Sequence, residues 1–161
     1  MLAKAELYDL LDRRGIPCEV VEHPAVYTME ELAALHLPGQ ERVVKNLFLR
    51  DDKKRNYYLV SMAGNKTADL KALRRNIPSR PLSFAGPEEL MRFLHLEPGH
   101  VTPLAALNDE SRTVTVVLDR DLEGRTVGVH PMENTATVFL ALEDVKKLIG
   151  EHGNPVVLCN I

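Results

Sequence analysis

A lysine and an asparagine interrupt one of the most apolar stretches of this chain. Residues 43–50 read VVKNLFLR, in which five of eight residues are apolar. Valine and phenylalanine fit a pleated, half-buried surface, so this stretch predicts a strand in the sheet core. Because an unpaired ammonium group is costly to bury, Lys45 is expected to open into a wet pocket or to face an anion. The alternative is that Lys45 marks the edge of the strand and extends to solvent.

A second candidate for chemistry is a loop of GxxxP form. Residues 97–103 read EPGHVTP, with Gly99 and Pro103 at the ends of the pattern. Glycine lets the backbone approach a ligand closely, and proline limits the freedom of the loop. The simpler interpretation is a plain connecting loop.

A third polar segment lies between two predicted strands near the end of the chain. Residues 128–137 read GVHPMENTAT and contain His130, Asn134 and two threonines. Side chains at such a connection can converge on a pocket. They can equally form a hairpin turn, in which Asn and Thr bond nearby backbone groups.

Other familiar chemistries do not fit this sequence. It contains no GxSxG elbow, no Walker A loop and no GxGxxG fingerprint. The six histidines are far apart, and none belongs to an HExxH motif. We therefore expect no metal site and no cofactor.

The elements that would position these groups alternate between helix and strand. Thr28 and Glu31 match a capping box, Pro87 suits the first turn of a helix, and Gly150 is predicted to end the last one. Residues 96–108 are predicted to be a loop, and residues 43–50 and 57–62 an antiparallel hairpin. Helices are predicted at 5–14, 28–37, 68–75, from 87, and at 142–149, and strands at 16–21, 43–50, 57–62, 82–84, 113–118, twice within 126–140, and at 155–159. This pattern predicts one α+β or mixed α/β domain over residues 1–161, with a mixed, mostly antiparallel sheet.

Composition narrows the class of protein further. The chain has 161 residues, 45% of them hydrophobic, and no apolar run approaches the length of a membrane span. It shows no signal-peptide core, and two cysteines are too few for a disulfide framework, so a cytoplasmic protein with two buried, inert thiols is expected. A net charge of −3 argues against broad, nonspecific binding to nucleic acid, but local basic clusters remain available.

Taken in order, the segments VVKNLFLRD, YYLV, LSFA, EPGHVTPLAALND, VVLD and VHPMENTATV resemble the YbaK/prolyl-tRNA-synthetase editing-domain family. Within it, the chain is most similar to the free-standing alanyl-tRNA(Pro) deacylases, known as ProXp-ala or PrdX-type proteins. The resemblance extends over residues 20–149. It implies a hydrolase that cleaves the ester between an amino acid and the 3′-terminal adenosine of mischarged tRNA(Pro).

The resemblance also assigns site residues and partners. Lys45 corresponds to the functional lysine of the family. The implied substrate-binding residues are Asn46, Gly99, His100, Val101, Thr102, Pro103, His130 and Asn134. The implied partners are the acceptor end of tRNA and, transiently, prolyl-tRNA synthetase, with no role for a membrane, DNA or a metal.

Physical chemistry gives a reason for such an activity. Alanine is smaller than proline, so a proline pocket cannot strongly reject it, each missing methylene being worth only about 1–3 kcal/mol. A second, smaller cavity can accept alanine and exclude proline. Since no Ser-His-Asp set is evident, we expect no acyl-enzyme. Lys45 is predicted to bind the terminal ribose-phosphate or the developing oxyanion, with backbone N–H groups near Gly99 as further donors and His130 orienting the amino acid or the water.

The sequence alone leaves two questions open, the tRNA contacts and the exact function. The phosphate contacts of tRNA would come from a few basic residues, and the candidates are Lys53, Lys54, Arg55, Lys71, Arg74 and Arg75. The function itself has alternatives: a deacylase for cysteinyl-tRNA(Pro) or another small amino acid, a noncatalytic module that binds amino acids or tRNA ends, or a structural domain with an incidental cleft.

Overall fold

The apolar run that carries Lys45 forms a strand of a five-stranded sheet in the computed structural model, which describes residues 1–161. The strands are β1 (Glu19–Glu22), β2 (Val44–Asp51), β3 (Tyr57–Ala63), β4 (Leu82–Phe84), β5 (Thr115–Asp119), β6 (Thr126–Val129), β7 (Ala136–Ala141) and β8 (Val156–Cys159). The helices are α1 (Lys4–Arg13), α2 (Met29–Ala34), α3 (Leu70–Asn76), α4 (Pro87–Leu94) and α5 (Leu142–His152). Short 3₁₀ turns occupy Gln40–Arg42, Pro103–Asn108 and Arg120–Leu122.

The five-stranded sheet has the order β4-β2-β3-β5-β8 and is mixed. Strands β2 and β3 form the predicted antiparallel hairpin, with Lys45 opposite Met62 and Asn46 opposite Ser61. Strands β3, β5 and β8 run parallel to one another. Sheets with parallel strands are usually covered on both faces, which fits the nearly continuous apolar sequence of β5. The fold is of the predicted mixed α+β class.

A smaller antiparallel sheet, β1-β7-β6, meets the larger one at a single bridge between Val43 and Gly128. The contact is close: a Cβ atom on Gly128 would lie 2.8 Å from Phe139 Cε1 and 3.0 Å from Val43 Cγ2. Glycine at this position therefore allows the two sheets to approach where β2 begins, next to Lys45.

Packing covers both faces of the larger sheet. The main core joins α1, α4 and α5 to one face of β2, where Val44 and Phe48 point inward. On the opposite face, Leu73 of α3 packs against Leu49 and Val60. A third cluster lies under α2 and contains Val26, Leu32, Val43 and Phe139. Lys45 thus follows two buried valines, Val43 and Val44, at the start of β2 and is itself half-buried.

Several sequence predictions are wrong in detail. Residues 96–108 are not only a loop, because Pro103–Asn108 forms a 3₁₀ turn. Helix α5 continues through Gly150 to His152 and ends at Gly153, which has φ +111°. Cys18 is exposed rather than buried, whereas Cys159 is buried as predicted. No helix of the structure combines the length and the hydrophobicity that crossing a bilayer requires.

Candidate active site

A cavity of about 250 Å³ lies where the start of β2 meets three other segments. Its apolar wall includes Val26, Met29, Leu32, Val43 and Val44. Five of the predicted site residues also line it, and they come from all three polar segments of the sequence: Lys45, Asn46, Gly99, Val101 and His130. The fold thus brings Lys45 and His130, which are 85 positions apart in the sequence, to one small cavity.

The Lys45 ammonium group has one fixed partner within the protein. Its Nζ atom donates a hydrogen bond to the backbone carbonyl oxygen of Lys66, at 2.6 Å. Lys45 forms no ion pair with a carboxylate. Because an ammonium group has three donors, two remain for a ligand in the cavity.

The loop that supplies this carbonyl is anchored by a buried carboxylate. Asp119 is fully buried, and its Oδ2 atom accepts a hydrogen bond from the backbone N–H of Ala63 at 3.0 Å. Lys66 Nζ lies 2.8 Å from Asp119 Oδ2 and 2.8 Å from Asp121 Oδ2. Burial alone would lower the pKa of Lys66, but its hydrogen bonds and charge interactions with these two carboxylates outweigh burial and raise it. Lys66 is therefore charged, and its ammonium group is held by Asp119 and Asp121.

Asn46 connects β2 to the GxxxP loop. Its Nδ2 atom donates to the carbonyl oxygen of Val101 at 3.3 Å, and its Oδ1 atom accepts from Ser61 Oγ at 2.6 Å. Both ends of the amide are engaged within the protein. Asn46 lines the cavity, and its side chain also holds the wall that Val101 forms.

Gly99 adopts a left-handed conformation with φ +87° against the ring of Tyr27. A Cβ atom at this position would lie 2.7 Å from Tyr27 Cδ1, so no other residue fits without a displacement. Tyr27 itself is 64% exposed and lies at the rim of the cavity. The glycine of the GxxxP loop thus allows the loop to pack closely against Tyr27 at the cavity.

His130 presents a neutral imidazole to the cavity. Its Nδ1 atom lies 3.1 Å from the carbonyl oxygen of Ala136, so Nδ1 carries the proton and donates it. Burial lowers the pKa of His130; the bond to Ala136 opposes this shift, and the charges of His23 and His100 add to it. In this tautomer Nε2 is a hydrogen-bond acceptor.

Asn134 lies behind the wall and is not among the residues that line the cavity. It is buried, and its Nδ2 atom donates to the carbonyl oxygen of Val26 at 2.8 Å. Its own carbonyl accepts from the backbone N–H of Val26, and His23 Nε2 lies 2.9 Å from Thr137 Oγ1. These bonds fasten residues 23–26 to the segment after His130, which indicates a structural role for Asn134.

Three further residues of the GxxxP loop also lie outside the lining. Thr102 is buried and caps the 3₁₀ turn by accepting from Leu104 N at 3.4 Å. Pro103 is buried as the first residue of that turn. His100 is half-buried, and its backbone N–H bonds to the carbonyl of Glu97.

The wall formed by residues 26–32 is a part of the site that the sequence did not predict. The capping box did locate the start of α2, since Thr28 Oγ1 accepts from Glu31 N at 3.0 Å. Glu31 then bonds to the backbone N–H of Tyr27, which fixes the preceding residue as well. What no motif indicated is that Tyr27 and Met29 would face Lys45, because that depends on the long-range bonds to Asn134.

The predicted tRNA-binding residues lie away from this cavity. Lys53, Lys54 and Arg55 occupy the turn between β2 and β3, at the opposite end of β2 from Lys45. Lys71, Arg74 and Arg75 lie on α3. All six side chains are exposed. Their contact with tRNA stays a prediction.

Comparison with known proteins identifies the family. Residues 23–148 match the model of the aminoacyl-tRNA editing domain. The chain is 43% identical over 155 residues to the "Prolyl-tRNA editing protein ProX" of Acetoanaerobium sticklandii, covering 96% of this chain and 94% of that protein. It is 36% identical over 163 residues to the "Prolyl-tRNA synthetase associated domain-containing protein 1" of Mus musculus, covering 98% and 95%.

A solved structure agrees with these relatives. It is the crystal structure of "a putative trans-editing enzyme for prolyl tRNA synthetase", whose sequence is 25% identical to this chain. The two structures superimpose with a TM-score of 0.71, and the match covers 100% of this chain and 99% of that one. This chain therefore belongs to the aminoacyl-tRNA editing domain family. Like the other members, it is an aminoacyl-tRNA deacylase, which confirms the resemblance drawn from the sequence.

Proposed function

We propose that this deacylase removes alanine from mischarged tRNA(Pro) by hydrolysing the ester at the 3′-terminal adenosine. The observation that carries the proposal is that Lys45, whose ammonium group has two donors without a partner in the protein, lines a cavity of about 250 Å³. Sites for drug-sized ligands occupy about 300–1,000 Å³, so this cavity suits a small acyl group. The sequence likeness to alanyl-tRNA(Pro) deacylases and the prolyl-tRNA editing relatives support tRNA(Pro) as the carrier.

In this proposal, residues that line the cavity supply the groups that ester hydrolysis requires. The amino acid side chain would contact the valines of the wall, Val26, Val44 and Val101. The Lys45 ammonium group would stabilise the charge that develops on the carbonyl oxygen, by a charge-assisted hydrogen bond. Since Lys45 is already fixed by the Lys66 carbonyl, little reorganisation is needed in the transition state.

Water attacks the ester carbonyl directly in this scheme. The lining contains neither serine nor cysteine, and the hydroxyl oxygen of its one threonine, Thr28, caps α2, so we propose no acyl-enzyme. His130 would accept a hydrogen bond at Nε2 from the water or from the substrate amino group. The bond between the carbonyl carbon and the ribose oxygen then breaks, and the leaving hydroxyl takes up a proton, for which the vicinal ribose hydroxyl is a nearby relay.

The test is a deacylation assay with alanyl-, cysteinyl-, seryl- and prolyl-tRNA(Pro). We expect alanyl-tRNA(Pro) to react fastest and prolyl-tRNA(Pro) to be spared. The Lys45→Ala variant should remain folded and lose at least 100-fold in rate, the scale reported for removal of one oxyanion donor. Lys147→Ala, which removes an exposed lysine of α5 outside the cavity lining and outside the predicted tRNA-binding set, is the matched control and should keep full activity.

Each other outcome has a defined meaning. Unchanged turnover by folded Lys45→Ala protein would remove the catalytic role of the lysine. Preference for cysteinyl-tRNA(Pro) would move the substrate to the cysteine-directed branch. Binding of aminoacyl-tRNA without cleavage by the wild-type protein would contradict the proposed activity.

A further inference from the structure

A second, larger cavity adjoins the candidate active site. Its volume is about 770 Å³, within the range of sites that hold small molecules and cofactors. Met29, Leu32 and Val43 line both cavities, so the two spaces meet at this shared wall. The Lys45 ammonium group bonds to the Lys66 carbonyl, in the loop whose Gly64 and Asn65 line the larger cavity. Lys45 thus lies near the boundary between the two.

The larger cavity is lined by two arginines, Arg42 and Arg125, that have no close carboxylate partner. Arg125 forms no ion pair. Arg42 has only a 3.9 Å contact with its neighbour Glu41, and the two side chains are 55% and 76% exposed, so this pair contributes little. In contrast, Arg14 and Arg80 lie 2.6 Å from carboxylates. Guanidinium groups bind phosphates through paired hydrogen bonds, so Arg42 and Arg125 suit phosphodiester oxygens.

Amide and apolar groups complete the lining. Gln40 uses its Oε1 atom to accept from Leu37 N at 2.9 Å, which leaves its NH₂ group available. Asn65 is exposed, and its side chain has no hydrogen-bond partner in the protein. Amide groups can bond to the edges of a nucleobase, and Met29 and Leu32 offer an apolar surface beneath it.

We infer that the larger cavity binds the last nucleotides of the tRNA 3′ end, with Arg42 and Arg125 as the ligands of their phosphates. The inference rests on the proposed function. The amino acid enters the smaller cavity, the ester lies at the shared wall beside Lys45, and the nucleotide chain leaves through the larger cavity between the two arginines. Arg42 and Arg125 are binding residues in this scheme and take no part in the chemical step.

Two substrates separate phosphate binding from catalysis. Alanyl-tRNA(Pro) carries the phosphates, whereas 3′-alanyl-adenosine carries the ester and the base without any phosphate. For the double variant Arg42→Gln/Arg125→Gln we expect KM for alanyl-tRNA(Pro) to rise at least tenfold with kcat little changed. For alanyl-adenosine, kcat/KM should stay within twofold of the wild-type value.

Salt dependence gives an independent measure. Each phosphate contact to a single strand contributes about 0.7 to the slope of log Kd against log salt concentration, so losing two should reduce the slope by about 1.4. The matched control is Arg120→Gln, because Arg120 is exposed, pairs with Glu123 and lies outside the cavity lining. It should leave KM and the salt slope unchanged.

The outcomes distinguish this inference from the proposed function. If the wild-type protein deacylates alanyl-tRNA(Pro) and the double variant has the same KM and salt slope, the inference is wrong and the activity stands. If the wild-type protein cleaves no aminoacyl-tRNA, binding of a 3′-CCA oligonucleotide tests the cavity alone. Equal affinity of the wild-type protein and the double variant for that oligonucleotide would overturn the inference as well.

Discussion

Two lysines near the site have opposite electrostatic environments. Lys66 is held by Asp119 and Asp121, and its charge is balanced within the protein. Lys45 is held by one neutral carbonyl oxygen, so its charge remains available to a ligand. A neutral partner orients an ammonium group without weakening its attraction for a developing oxyanion. This difference between the two lysines is the physical basis of the role proposed for Lys45.

His130 makes activity and stability depend on pH in the same direction. Its pKa in the folded protein is lowered from the ordinary value of 6.5, mainly by burial. As pH falls below 6.5, the histidine of the unfolded chain takes up a proton before the histidine of the folded protein does. The contribution of His130 to the free energy of unfolding is therefore full above pH 6.5 and is lost as pH falls through the lowered pKa. Protonation also converts Nε2 from an acceptor to a donor.

We expect kcat/KM of the wild-type protein to fall on the acid side with a midpoint below pH 6.5. In His130→Asn the acid limb should disappear and the rate at neutral pH should fall about tenfold. Urea unfolding at pH 7 and pH 5 should show a smaller loss of stability in the variant than in the wild type. An identical acid limb in both proteins would assign the titration to a group other than His130.

At the scale of elements, the loop after β3 is the part that positions Lys45. Asp119, at the end of β5, receives the Ala63 N–H and the Lys66 ammonium group, and so ties this loop to the neighbouring parallel strand. The anchor is indirect: Asp119 acts on Lys45 through the carbonyl of Lys66. Asp119 is therefore a positioning residue.

The Asp119→Asn variant should lose about 3 kcal/mol of stability, since one partner of a buried ion pair is removed. Its kcat should fall about tenfold with KM little changed, when measured at a temperature where the variant is fully folded. Asp121→Asn removes the exposed partner of the same lysine and should change neither value much. Equal kcat in Asp119→Asn and the wild type would restrict Asp119 to a role in stability.

Local patterns were sufficient for some elements and not for others. The β2–β3 hairpin follows from two apolar strands around the polar turn at residues 51–55, and strand β4 lies where predicted. The 3₁₀ turn at Pro103–Asn108 has no such signal, because it is stabilised by burial of Leu104, Ala105 and Ala106. Two glycines follow the apolar positions of α5, and the sequence cannot tell that Gly153 rather than Gly150 adopts the left-handed cap.

At the scale of the molecule, the site exists because two sheets and a loop meet at one end of β2. The sequence could place Lys45, Gly99 and His130 in one site by family likeness, and the structure does bring them to one cavity. It could not indicate Arg42 or Arg125, since each is a single basic residue outside any cluster. The clusters of basic residues at 53–55 and on α3 were predicted to bind tRNA instead. A sequence shows which residues are charged but not which surface their side chains face.

The contact between the two sheets, at Val43 and Gly128, provides a test of whether the site depends on the packing of the whole molecule. A Cβ atom in Gly128→Ala would lie 2.8 Å from Phe139 Cε1 and 3.0 Å from Val43 Cγ2. Overpacking of this kind costs about 1–3 kcal/mol, so urea unfolding should show a loss in that range. Because Val43 lines both cavities, deacylation of alanyl-tRNA(Pro) should also slow, although Gly128 itself lines neither.

Gly150→Ala is the matched control, since nothing lies within 4 Å of its added methyl group and the residue is inside α5. Alanine there should stabilise the protein by about 0.5–1 kcal/mol and leave the rate unchanged. Phe139→Leu combined with Gly128→Ala removes the nearest clashing atom, so part of the lost rate should return. If Gly128→Ala alone kept full activity, the position of Val43 would not control the site, and the shared wall would have to be defined by Met29 and Leu32.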